Sequence, residues 1–430
     1  MVAPCAETVP AVAPVPDVVE RRGGCGVGGG GGGGVMAAPT AEAAAVAAEA
    51  PKAAATAATA TAVTSEWSTT QVRSADDERR IKYPGFEPGT PAGAAAADFV
   101  RRASSSPDPN FRPAIKWPDL GVQVFVHVSA LYGLLLALTT AKLVTVVWAI
   151  IVLYASGFGI TAGAHRLWSH RAYKAKWPLK LLLVFLFTIA GQRHVYQWAL
   201  DHRIHHKFSE TDADPHNAKR GFFFSHVGWL VLEPHPDVVA KRSQVDMSDL
   251  ESDPIIMWHK KLYVPLFALL VIILPVWVPY HFWDESLWTS FFVAFSCRFC
   301  ITLHIAFFVN SVAHMWGNRP YDKNISPVEN FAVSMAALGE GWHNYHHVFP
   351  YDYKTAELGN YTLNLTTAFI DFFCWLGWAY DAKSVSDNMV KRRVLRSGDG
   401  SHNLWGWGDK DISEDDRLEL QSLERKEKSQ

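Results

Sequence analysis

The sequence predicts an all-α membrane protein, with four transmembrane helices in two hairpins and a helical cap on the cytosolic side. Three observations predict it. Four apolar stretches each reach the roughly 20 residues that a helix needs to cross a bilayer. The linkers within each pair are only long enough to turn. The long segment between the pairs collects basic residues and tightly grouped histidines.

Residues 1–110 are dominated by Ala, Gly, Pro, Ser and Thr, with an unbroken glycine run from Gly28 to Gly34. Such a segment has too few large apolar side chains to offset its ordering entropy, so it is expected to be disordered. Its start carries Glu7 and Asp17 rather than a basic region followed by an apolar core, so it does not read as a signal peptide. Residues 111–390 form the expected membrane domain, and almost all of the Trp and Phe lie beyond residue 110. Residues 391–430 are expected to be a cytosolic tail. Lys426 and Lys428 in that tail resemble a dilysine signal for retrieval to the endoplasmic reticulum.

The first span runs from Leu120 to Ala141, between Asp119 and Lys142, and the second from Leu143 to Ala164 without a charge. The third covers Leu262 to Trp283 and contains Pro265, Pro275 and Pro279. The fourth covers Leu287 to Ala313 with one charge, Arg298. A run of about 13 residues, Leu179 to Gly191, is short for a span and suits an interfacial or buried helix. Spans one and two are nearly contiguous, and Asp284, Glu285 and Ser286 join spans three and four. Residues 165–261 carry about fourteen Lys or Arg, which assigns them to the cytosol. Each hairpin crosses twice, so both termini are expected on that side too.

A net charge of −2 argues against a nucleic-acid partner, because no basic surplus exists to neutralise phosphates. The five Cys are scattered, and Cys297 and Cys300 form a CxxC inside an apolar run, where they read as small packing residues. The 18 histidines are distributed quite differently. Isolated ones (His127, His194, His259, His281 and His304) read as single polar residues, for instance at helix ends. Nine others fall in four groups on the cytosolic face.

These groups are His165 with His170; His202, His205 and His206; Asn310 with His314; and His343, His346 and His347. In the two triads the rings stand at i, i+3 and i+4, one face of a helix, so three imidazoles can converge on one point. Imidazole suits iron, zinc, copper or nickel. Divided over two ions, nine histidines leave each ion near five-coordinate with a position free for water or oxygen. Closed tetrahedral zinc would use only four. Asp201, Asp212, Asp214 and Glu340, within or beside these groups, can accept the outer N–H of a ligating ring.

The motifs around the histidines resemble those of the membrane stearoyl-CoA (acyl-CoA Δ9) desaturases of animals and fungi, type 1 fatty acid desaturases. The resemblance runs from about Trp117 to Asn388. It rests on Gly159-Ile-Thr-Ala-Gly-Ala-His-Arg-Leu-Trp-Ser-His170 and His205-His206-Lys-Phe-Ser-Glu-Thr-Asp-Ala-Asp-Pro-His-Asn217. It continues through Arg220-Gly-Phe-Phe-Phe-Ser-His-Val-Gly-Trp229, Arg319-Pro-Tyr-Asp-Lys-Asn-Ile325 and Gly339-Glu-Gly-Trp-His-Asn-Tyr-His-His347. It implies a four-span fold whose cytosolic cap holds a di-iron site in the endoplasmic reticulum membrane. By motif the ligands are His165, His170, His202, His205, His206, His314, His343, His346 and His347, with Asn310 acting through a water. The implied reaction is oxygen-dependent insertion of a cis double bond, Δ9, into a long-chain fatty acyl-CoA. Cytochrome b5 and its reductase are the implied electron donors.

By the same resemblance Gln192, Arg193, Trp198 and Asp201 contact substrate, Leu153 and Gly157 limit chain length, and Ala306 and Phe307 line the tunnel bend. This chain departs from the family at the head-group clamp, with Leu200, Glu233 and Pro234 where basic residues are usual and Asp119 where Asn is usual. At the tunnel, Leu153, Ala306 and Phe307 replace Tyr and Thr-Trp, which predicts a longer or differently registered chain than stearate. The alternatives are a fatty-acyl hydroxylase on the same scaffold, a desaturase of a different acyl carrier or regiochemistry, or a non-catalytic membrane protein that binds lipid or zinc.

Overall fold

The computed structural model describes residues 111–357, 361–406 and Leu418. The low-complexity region 1–110 and the Lys426/Lys428 pair lie outside the described residues.

Among the described residues, four helices are long and apolar enough to cross a membrane: α1 (Trp117–Thr139), α2 (Leu143–Ser169), α5 (Pro254–Trp283) and α6 (Leu287–Met315). Between them α3 (Trp177–Ala190) bends by 82° into α4 (Val195–Phe208). Then follow α7 (His343–Val348), α8 (Leu365–Trp375) and α9 (Asp387–Ser397). The protein is a mostly helical, multi-pass membrane protein. The third span is longer than its apolar stretch, since α5 begins at Pro254 behind the Asp253 cap, whose carboxylate accepts from the Ile255 N–H at 3.0 Å. Helical hydrogen bonding carries it through Lys260 and Lys261, where hydropathy alone would have stopped it.

At the turn end, the two hairpins are tied together by buried Glu285, which accepts from the Lys142 N–H at 2.9 Å and from the Thr145 hydroxyl at 2.8 Å. Mid-span, the wholly buried Arg298 gives its guanidinium to three carbonyls: Ile189 at 2.8 Å, Val271 at 3.1 Å and Ala294 at 3.3 Å. A charge inside a membrane domain persists only when it is satisfied in this way, and here it binds α6 to α3 and α5.

Helix α3 packs its Leu179, Leu183 and Phe187 face into the main core beside α2. The approach is so close that a Cβ on Gly159 would lie 2.1 Å from the Phe187 nitrogen. Gly191, at φ 71°, ends α3 in the left-handed conformation that makes the sharp bend into α4 possible. His194 then caps α4, accepting from the Gln197 N–H at 3.1 Å. At the cap, β1 (Lys174–Ala175) pairs antiparallel with β2 (Ala379–Tyr380). Helix α9 presses Val390 and Val394 against Tyr321, Tyr345 and Phe349, which supports α7 from behind.

Candidate metal centre

The first histidine pair depends on an irregularity of α2. Its last segment, Gly159–Ser169, is a π-helix, closed by the His170 N–H on the His165 carbonyl at 3.2 Å. In an α-helix, residues five apart point about 140° away from each other. The wider π turn reduces that offset, and the two rings meet edge to face at 4.9 Å. Helix α4 brings in His202, His205 and His206, α6 brings in His314, and α7 brings in His343, His346 and His347.

The nine rings sort into two groups, within each of which the donor atoms lie inside 4.8 Å of one another. One holds His165, His170, His202, His206 and His346; the other holds His205, His314, His343 and His347. Each triad is thereby divided between the two groups. His205 parts from His202 and His206, and His346 parts from His343 and His347. Positions i, i+3 and i+4 fan across a helix face, so two facing helices each contribute to both groups.

Ring nitrogens crowd inward. Nε2 of His346 lies 2.9 Å from that of His165 and 3.0 Å from that of His206, and the Nε2 atoms of His170 and His202 are 2.8 Å apart. In the second group, His343 Nε2 is 3.0 Å from His314 Nε2 and 3.1 Å from His347 Nε2. Outer nitrogens meet carboxylates: His165 Nδ1 on Glu340 at 2.7 Å, His205 Nδ1 on Asp214 at 2.9 Å, and His314 Nδ1 on Glu210 at 3.0 Å. A carboxylate accepts the Nδ1 proton and thereby turns the Nε2 lone pair inward.

Burial, reinforced by neighbouring rings, drives the pKa of His170, His202, His206, His343, His346 and His347 well below the ordinary imidazole value. These rings are therefore neutral donors at physiological pH. Burial alone would raise Asp214, but His205 holds it down to about 2, and it remains a charged acceptor. Among the described residues the buried His205 Nε2 has no hydrogen-bond partner, and its ring belongs to the second group. Two compact sets of inward-facing ring nitrogens, with His205 Nε2 unpartnered among them, fit a pair of bound metal ions.

Beside the rings lies a cavity of about 280 Å³. Its lining includes Asn310 and His343 from one group's side, His165 and His202 from the other's, and all eight residues expected at the substrate: Leu153, Gly157, Gln192, Arg193, Trp198, Asp201, Ala306 and Phe307. Trp198 also stacks on His202 at 4.9 Å. Two acidic residues do not meet a ring. Asp212 is exposed, and Asp201 instead accepts from Gln197 at 2.9 Å and faces Arg242 at 3.3 Å and Arg193 at 3.8 Å.

Several residues at the site went unnoticed in the sequence. Glu210 follows His206 by four residues, and its sequence distance of 104 residues from His314 hid the pairing. Arg166, next to His165 and wholly buried, donates to Glu340 at 2.8 and 3.1 Å and so fixes the carboxylate that orients the ring. Leu338 lines the cavity at φ 57°, a strained conformation for Leu, held by the Thr366 N–H on its carbonyl at 3.1 Å. No local pattern announces that conformation.

The family model for fatty acid desaturases matches residues 99–359. The "Acyl-CoA Delta-9 desaturase" of Acheta domesticus is 53% identical over 336 residues, covering 78% of this chain and 94% of that protein. The "Acyl-CoA Delta12-desaturase" of the same organism is 56% identical over 302 residues, covering 70% and 85% respectively. "Stearoyl-CoA desaturase 5" of Bos taurus is 49% identical over 290 residues, covering 67% and 86%. With four spans, nine converging histidines and these relatives, the chain belongs to the fatty acid desaturase family, among its membrane-bound oxidoreductases related to the stearoyl-CoA desaturases.

Proposed function

We propose that this enzyme introduces a cis double bond, Δ9, into a long-chain fatty acyl-CoA, at two iron ions held by the nine histidines. The observation that carries this reading is the apolar cavity that passes both histidine groups. The group of five can complete one ion's shell from the protein. The group of four leaves room for a water held by Asn310, which lines the same cavity. When bound, the iron pair supplies oxygen activation and the removal of two hydrogens from adjacent methylenes. The protein's residues supply position and dryness: Trp198, Ala306, Phe307 and Leu338 hold the chain against the rings and exclude water. Cytochrome b5 with its reductase is the proposed electron source. The fourteen basic residues of 165–261 support a cytosolic cap and an endoplasmic reticulum location.

The head group has its own support. A second hollow shares Arg193, Asp201 and Trp229 with the cavity and adds Lys116, Arg220, His235 and Arg242. These bases stand in for those missing at Leu200, Glu233 and Pro234, and Asp119 is offset by Lys116 at 3.2 Å. Arg242→Ala is expected to raise the KM for acyl-CoA by about tenfold with kcat unchanged, since one partly exposed phosphate contact is worth roughly 1.4 kcal/mol. The effect should shrink in high salt. An unchanged KM would refute this phosphate site.

Product analysis in desaturase-deficient yeast tests the reaction and the register. Wild type is expected to give Δ9 monoenes. A Cβ at position 157 would already lie 2.9 Å from Leu338, so Gly157→Phe should fill the cavity there and shift products to shorter chains. Oxygen gained in place of two hydrogens lost would identify a hydroxylase instead.

A further inference from the structure

Cys300 and His304 stand four residues apart on α6, hence on one helix face, and α1 opposes them with His127. One ligand atom from each lies within 4.8 Å of the other two, and the two rings meet edge to face at 5.0 Å. None of the three lines the substrate cavity.

Hydrogen bonds decide where the lone pairs of these rings reside. His127 Nδ1 is 2.6 Å from the Gln123 carbonyl, which can only accept, so Nδ1 carries the proton and Nε2 the lone pair. On the other side the Ser311 hydroxyl donates its single proton to the Phe307 carbonyl at 2.8 Å. Ser311 must therefore accept from His226 Nδ1, 3.0 Å away. His226 is left with a lone pair on Nε2, which accepts from His304 Nδ1 at 2.9 Å. His304, like His127, thus keeps its lone pair on Nε2. Anchoring the outer N–H and freeing the inner nitrogen is how proteins prepare imidazole as a metal ligand. The third member, Cys300, is a buried free thiol.

Thiolate with imidazole selects soft or borderline ions such as copper(I) and zinc. Position decides between them, because His127 and Cys300 lie well inside their apolar spans, where net charge is costly. A thiolate and copper(I) sum to zero charge, and three donors satisfy that ion. Zinc(II) would leave a positive charge and lack a fourth ligand. We propose that His127, Cys300 and His304 form a second metal site, distinct from the nine-histidine centre, that binds one copper(I) between α1 and α6. Binding releases the Cys300 thiol proton.

The test is anaerobic titration of the full-length, iron-loaded enzyme with copper(I) held by a chromophoric competing chelator. One copper per chain is expected, with no iron displaced and with mixed sulfur and nitrogen ligation by copper X-ray absorption. Cys300→Ala and His304→Asn should each weaken binding by about 100-fold or more, while iron content and desaturation stay at wild-type level. Retained iron shows that each variant has folded. Absence of copper binding, equal binding by wild type and both variants, or preferential uptake of zinc at this site would each overturn the proposal.

Discussion

His346→Ala is expected to abolish desaturation, by well over the roughly 100-fold that loss of a mere supporting contact costs. Its Nε2 lies 2.9 Å from that of His165 on α2 and 3.0 Å from that of His206 on α4, so its ring joins the other members of the five-histidine group. Removing it opens that group and leaves the group of four intact. Iron per chain should therefore fall from two toward one rather than to zero. His281→Ala is the matching control. That ring stacks on Trp277 at 4.7 Å at an exposed position near the turn end, and its loss should leave activity and iron unchanged. Substantial activity in the His346 variant would refute the ligand assignment. Complete iron loss would refute the division into two groups.

Glu340→Ala should lower stability by about 3–5 kcal/mol, because it leaves the wholly buried Arg166 guanidinium without its countercharge. Burial pushes Glu340 toward the neutral acid, yet Arg166 and His165 more than reverse this and hold its pKa below the ordinary carboxylate value. The bridge is therefore charged at neutral pH. Its stabilisation is present above the unfolded-state pKa of a glutamate and is lost as pH falls through the depressed folded value. Arg166 also donates to the Tyr353 carbonyl at 2.9 Å and to Thr367 at 3.0 Å, so the damage should spread to the connection into α8. Thermal inactivation in detergent measures the loss, and Glu340→Gln, which keeps an acceptor, should fall between the two. If the alanine variant inactivates at the wild-type temperature, the bridge is not structural.

What could be read directly from the chain is what depends on neighbours in sequence. Apolar runs of span length and the i, i+3, i+4 histidine spacings express helical periodicity, and the structure has helices at each of them, with Asp284–Ser286 as the break between two spans. Charge bias led to the expectation that the histidine groups share one face. By contrast, the partition of the rings was invisible, because His205 leaves its own box for His314, His343 and His347, contributed by α6 and α7. Sequence spacing says which rings share a helix face, but only the packing of four helices decides which rings gather into one group. The π turn at Gly159–Ser169, the Glu210–His314 contact and the reach of Arg242 to Asp201 likewise arise from long-range packing. The same holds for His127, Cys300 and His304. Each was unremarkable alone, and α1 had to lie against α6 before three scattered polar residues became one set of donors. The sequence by itself determined the spans, the topology and the donor chemistry, since these follow from local composition and period. The tertiary structure decided the pairing of donors, the orientation of their lone pairs and the shape of the cavity beside them, since each needs atoms brought together from distant parts of the chain.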